Sequence, residues 1–208
     1  NASLRSSGIA ANLFGLHQSR RGVFKLASMF TLDAFAGGFI VQSVMAYWFH
    51  LRFGVEPALL GTIFMAANIL AGLSALAAAR VALRIGLINT MVFTHLPSNI
   101  LLIFIPLMPN LSLAIALLLL RFCISQMDVP TRQSYTMAVV SPDERSAAAG
   151  ITGIARTVGS ALSPMLAVPM LANTALIGFP FFIAGGLKII YDLTLWYNFR
   201  TLKPPEER

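Results

Sequence analysis

Six apolar runs punctuate the sequence, at residues 23–48, 57–79, 86–108, 111–134, 147–171 and 176–199. A helix rising about 1.5 Å per residue needs about twenty apolar residues to cross the hydrocarbon of a bilayer, and each run meets that length. Short breaks separate them: "HLRFGVEP", "RVALRIG", "MPN", "VVSPDERS" and "LANT". The runs are continuously apolar without alternation, so helices fit and barrel strands do not. The expected fold is an all-α integral membrane bundle of six transmembrane helices.

Composition agrees. Hydrophobic residues make up 57% of the 208 positions and charged residues 11%, whereas soluble domains carry about a quarter charged residues. Too little polar surface remains to coat a water-soluble globule of this size. The net charge of +7 is scattered between apolar runs rather than gathered in one patch. Membrane topology, not nucleic acid, is its expected cause. Cys123 is the single cysteine, which excludes an intramolecular disulfide. The chain opens on Asn1, and the expectation is a segment of a longer polypeptide or a trimmed terminus. The first apolar run is too long for a signal peptide.

Lysine and arginine orient the bundle. The amino-terminal stretch carries Arg5, Arg20, Arg21 and Lys25; the second connection has Arg80 and Arg84, and the fourth Arg132 and Arg145. The tail adds Arg200, Lys203 and Arg208, whereas the other connections offer only Arg52. Both ends of this segment are therefore expected to face the cytoplasm, in a multi-pass protein of the cell (inner) membrane. The expected division is a cytoplasmic linker over 1–21, a transmembrane domain over 22–199 and a cytoplasmic tail over 200–208.

The fourth run, "LLLLRFCISQMDVPTRQSY", starts apolar and ends charged. On one helix, Arg121, Ser125, Asp128 and Arg132 fall at i, i+4, i+7 and i+11, a single polar stripe. Charge facing lipid at that depth costs several kcal/mol, so the stripe should face protein or water. Pro130 removes a backbone hydrogen bond, expected at the cytoplasmic end of that helix. In the first run Asp33 lies at a depth close to that of Arg121. Asp33, Arg121, Ser125 and Asp128 are the candidate solute or proton pathway, with Asp33 and Arg121 acting as a pair or as separate ligands. Arg156 shares a face with Thr152, Ser160 and Ser163, and Lys188 and Asp192 are spaced i, i+4. Asp128, Arg132, Arg156, Lys188 and Asp192 form the candidate cytoplasmic gate network. The blander reading pairs Lys188 with Asp192 and lets Arg132 and Arg145 only mark the cytoplasmic side. His95 reads as a packed, hydrogen-bonded histidine. Gly153 with Thr157, Gly159 with Ser163, and Gly185 with Gly186 are spaced for close helix packing.

The segment "SPDERSAAAGITGIARTVGSALSPMLA" resembles a connection and helix of the major facilitator superfamily of secondary transporters, in its carboxy-terminal six-helix half. A Pro-acid-acid-Arg loop there leads into a small-residue helix with Gly and then Pro. "LLLLRFCISQMDVPTRQSY" is similar to the helix before it. "ARVALRIG" resembles the family's basic cytoplasmic loop, although Leu83 replaces the aspartate of the usual Asp-Arg-x-Gly pattern. The resemblance implies half of a twelve-helix fold, made of two three-helix units in inverted topology. "QSVMA" at Gln42 and "QSYTMA" at Gln133 are a faint trace of that repeat. It also implies that the first and fourth spans line the cavity, and these carry Asp33 and Arg121.

The expected activity is alternating-access transport of a small solute, proton-coupled or facilitative. The alternative is a non-transporting membrane scaffold or receptor built on the same bundle. An intramembrane enzyme is disfavoured, because the sequence has no His/Glu metal spacing, no GxSxG and no Ser-Lys dyad in facing positions, and the lack of a Walker-type phosphate loop speaks against ATP-driven pumping. No cofactor or metal is expected. The expected partners are the solute, protons, membrane lipid, and either an amino-terminal six-helix half of the same polypeptide or a second copy.

Overall fold

A computed structural model describes residues 15–201. Among them are eight α-helices: α1 (Arg20–Gly38), α2 (Gln42–Phe53), α3 (Pro57–Ile85), α4 (Leu87–Phe104), α5 (Leu111–Ser125), α6 (Asp128–Ala138), α7 (Arg145–Leu171) and α8 (Phe179–Phe199). They make six apolar spans, because α1 and α2 share the first and α5 and α6 share the fourth. No strand occurs among the described residues. The transmembrane domain expected over 22–199 lies within them, whereas residues 1–14 of the linker and 202–208 of the tail lie outside.

Local chemistry sets the ends. Asn110 caps α5, its side-chain oxygen accepting from the Leu113 N–H at 3.0 Å. Pro57 opens α3 at a position where its missing N–H has no partner to lose. Gly86, at φ 86°, is the lone residue between α3 and α4 and turns the chain where a side chain would be strained. Glu144 is fully buried in the loop before α7 and accepts from the backbone N–H of His17, of Gln18 at 2.7 Å and of Ser19 at 2.9 Å. That carboxylate supplies the acceptors that the free amides before α1 need. It also ties the "SPDER" loop to the segment entering the first span.

Two spans are broken. The first breaks at Phe39–Val41, where Val41 is extended (φ −55°, ψ 154°). The fourth breaks at Gln126 and Met127, so one continuous helix carrying the polar stripe is corrected to two pieces. Pro130 lies in the first turn of α6, where a helix has no intrahelical use for its N–H. The break therefore falls before the proline rather than after it. Both repeat traces, at Gln42 and Gln133, lie in the second piece of a broken span.

The packing is symmetric in the order of the spans. The first packs on the fifth (α1 on α7), the second on the fourth (α3 on α5 and α6), the third on the sixth (α4 on α8); the first also meets the sixth, and the third the fourth. Exchanging spans one, two and three for four, five and six leaves this pattern unchanged. Two equivalent three-span units account for it, and each unit opens with a broken span.

Small residues permit the tightest crossings. A Cβ on Gly159 would lie 2.5 Å from the Thr31 carbonyl, and one on Gly38 2.7 Å from Ser160 O and Ser163 Oγ. Across the same α1–α7 contact, the Ser163 hydroxyl donates to Phe35 O and Thr31 to Ala155 O at 3.2 Å. Gly185 plays the corresponding part between α8 and Ile103 of α4. Gly153 and Gly186 face open space instead, which corrects the expectation that they pack against a helix.

Candidate functional site

Four charged side chains of the bundle form one chain of ion pairs through Asp33, on α1 four residues before the Gly37–Gly38 pair. Its Oδ1 accepts from Lys188 Nζ of α8 at 2.5 Å and its Oδ2 from Arg132 Nη1 of α6 at 2.8 Å. Arg132 Nη2 also donates to Asp128 Oδ2, one turn earlier on α6, at 2.7 Å. Asp33, Asp128, Arg132 and Lys188 are all buried. One carboxylate on the first span thus holds cations from the sixth span and from the second piece of the fourth.

A second polar group adjoins it. His95 Nδ1 lies 2.8 Å from Asp192 Oδ1, and Asn99 Nδ2 donates to Asp192 Oδ2 at 2.9 Å. His95 Nε2 is 4.0 Å from Asp33 Oδ1, so the imidazole stands between the two carboxylates. His95 and Asn99 are one turn apart on α4, and both are buried. His95 is hydrogen-bonded, as expected, and its partner is an ionisable group of the candidate gate.

Several expected pairings are corrected. Lys188 and Asp192, despite their i, i+4 spacing, turn to different partners: Lys188 to Asp33, Asp192 to His95 and Asn99. Arg132 is 5% exposed and ion-paired inside the bundle rather than marking its edge. Asp33 pairs with Lys188 and Arg132, not with Arg121. Arg121 is buried against the Phe122 ring, its Nε without a hydrogen bond, and the Ser125 hydroxyl one turn on is also unpartnered. Arg156 is half-buried and forms no ion pair with Asp128 or Asp192. The five expected gate residues therefore divide into a Lys188–Asp33–Arg132–Asp128 chain, a His95–Asp192–Asn99 group and a separate Arg156.

Two clefts flank the chain of ion pairs. One, of about 430 Å³, lies between α1, α6 and α7 and is lined by Phe30, Arg132, Gln133, Thr136, Thr152 and Arg156 among others. The other, of about 380 Å³, is lined by Asp33, Gly37, Arg156, Thr157, Ser160 and Lys188 among others. Arg156 and Gly153 border both. Breaking a buried ion pair by removing one partner costs about 3–5 kcal/mol, whereas replacing both partners with apolar groups of similar size is often neutral. Stability alone is therefore a weak reason for an ionic interior. The groups missed on sequence grounds were Asn99 and Gln133; the i, i+4 spacing of His95 and Asn99 in an apolar run was the available signal for the first.

The Major Facilitator Superfamily model matches residues 5–164, and the chain belongs to this family of membrane transporters. The uncharacterized membrane protein YJR124C of Saccharomyces cerevisiae is 28% identical over 174 residues, which are 83% of this chain and 39% of that protein. The chain thus spans about two fifths of the length of the relative it matches. No solved structure matches it.

Proposed function

We propose that this chain works as one six-span half of an alternating-access transporter for a small solute, proton-coupled or facilitative. The other half is an amino-terminal six-helix half of the same polypeptide or a second copy, and the lysine and arginine distribution supports cytoplasmic ends in the cell membrane. The observation that carries the reading is Asp33, shared between Lys188 and Arg132 beside a cleft and four residues before the run leading to the break in its own span. Protonating Asp33, or bringing solute to its cations, weakens two interhelical ion pairs at once. α6 is a separate helical piece, so loss of the Arg132 bond frees it to move relative to α5. Rocking between the two halves then exchanges access to the site from one side of the membrane to the other.

The test is uptake of a ¹⁴C-labelled small-metabolite extract by proteoliposomes holding the full-length protein, with and without an inward proton gradient. Asp33→Asn is expected to abolish gradient-dependent uptake while the helical spectrum stays native. Normal uptake by Asp33→Asn with an unchanged pH profile would contradict the role assigned to this carboxylate.

A further inference from the structure

The charges around the clefts do not balance. Lys188, Arg132 and Arg156 line the two clefts with one carboxylate, Asp33, and in the bundle interior beside them the described residues add Arg121, Asp128 and Asp192, four cations to three carboxylates in all. Asp33 and Asp128 are engaged by Lys188 and Arg132. Asp192 is held by His95 and Asn99, 2.8 and 2.9 Å away. Among the described residues, at least one guanidinium is left without a carboxylate of its own. Arg156 is the one that reaches both clefts, and it makes no hydrogen bond or ion pair with the described residues.

The larger cleft has the chemistry to use that surplus. Arg132 and Arg156 line it, and no aspartate or glutamate does. The hydroxyls of Thr136 and Thr152 donate to their own helices, to Arg132 O at 2.9 Å and Ala148 O at 2.7 Å. The N–H donors remaining for a ligand are therefore on the two guanidiniums and the Gln133 amide, whereas the side-chain acceptors lining the cleft are only the neutral oxygens of Gln133, Thr136 and Thr152, so the charge of the cleft favours an anion. Phe30, Val129, Met137 and Ala149 supply the apolar part of the lining, with the Phe30 ring centroid 5.4 Å from the Arg132 guanidinium. A volume of about 430 Å³ is that of a small-ligand site.

Resting on the transport reading above, we propose that the solute is a small organic anion, a carboxylate or phosphate ester with an apolar body, and that Arg156 binds its charged end in the cleft between α1, α6 and α7. Gln133 contributes a hydrogen bond, and Phe30 covers the apolar part. Arg156 is uncommitted among the described residues, so binding there breaks no pair that they form. Arg132 shares its charge with Asp33 and Asp128, so an anion beside it competes with those carboxylates. That competition connects occupancy of the cleft to the Asp33 ion pairs.

Equilibrium binding to the full-length protein in phosphatidylcholine nanodiscs tests this, using benzoate, benzylammonium and benzyl alcohol as probes of one shape and three charges. Benzoate is expected to bind saturably and at least tenfold more tightly than the other two. Arg156→Gln should weaken benzoate at least tenfold, with an unshifted unfolding transition in its absence, and Arg156→Lys should recover part of the loss. Benzylammonium binding as tightly as benzoate, no benzoate binding, or benzoate binding unaffected by Arg156→Gln would each overturn the proposal. So would tight binding only of phosphatidylglycerol added to the discs, which would make the cleft a lipid-headgroup site. Anion binding without uptake in proteoliposomes would sink the transport reading and leave the anion site standing. Uptake without anion binding would do the reverse.

Discussion

Two neighbouring regions of the bundle interior are similarly buried and built from opposite materials. Toward α2 the core is aromatic and aliphatic: Trp48 packs on Phe49 at 5.1 Å, on Phe53 at 5.7 Å and on Phe181 at 4.8 Å between centroids, with Leu102, Ile105 and Leu171 around them. Between that core and another apolar cluster that includes Leu26, Phe30, Met91, Tyr135 and Leu195 lies an ionic layer, running from Lys188 through Asp33 to Arg132 and Asp128, with His95 and Asp192 alongside. The first is held by dispersion and close fit, which have one best arrangement and no cheap alternative. The second is held by charges that can find other partners or a proton. Under the mechanism proposed above, the aromatic region would be the fixed pivot and the ionic layer the part that rearranges.

Substitutions can break or sharpen that contrast. The largest effect is expected in the ionic layer, from Lys188→Met alone. It leaves Asp33 with half its counter-charge in a desolvated site and should cost about 3–5 kcal/mol, read as reversible unfolding in mixed micelles. Trp48→Ala in the aromatic region should cost on the order of 2–3 kcal/mol, less than in a water-soluble core because lipid rather than water is the reference solvent. Its solute uptake, corrected for folded protein, should stay near native. A large uptake defect there would erase the distinction between the two regions. Gly159→Val forces a side chain against the Thr31 carbonyl, and overpacking of this kind costs about 1–3 kcal/mol. The matched control, Gly153→Ala, meets open space and should fall within about 0.5 kcal/mol of native. The smallest effect is local: Glu144→Gln should expose the bonds after Arg20 and Arg21 to trypsin, and unchanged cleavage there would contradict the clamp from the "SPDER" loop.

The six spans were legible because each apolar run is long and each connection carries a turn residue or a charge. Membership of the transporter family was legible in "SPDERSAAAGITGIARTVGSALSP" and its neighbouring helix. The breaks were not. Val41 and Gln126 carry no distinctive breaking signal, and Pro130, which does, lies harmlessly in a first turn. The ion pairs were legible as residues but not as partners. Spacing along one helix favoured Lys188 with Asp192, yet a neighbouring helix placed Asp33 closer to the lysine and His95 closer to the aspartate. Choosing between such partners requires the crossing of α1, α4 and α8, which small residues such as Gly159 and Gly185 determine from a distance.

Sided labelling tests most directly whether the ionic layer switches access. Thr157→Cys, in the 380 Å³ cleft with Asp33 and Lys188, would be introduced into full-length protein freed of other reactive cysteines. A membrane-impermeant maleimide would then be applied to each face of sealed vesicles. The native charges are expected to give labelling from both faces. The neutral pair Asp33→Asn/Lys188→Met is expected to unfold within about 1 kcal/mol of native yet label from one face only. Identical labelling of both proteins would mean that these charges only hold the bundle together.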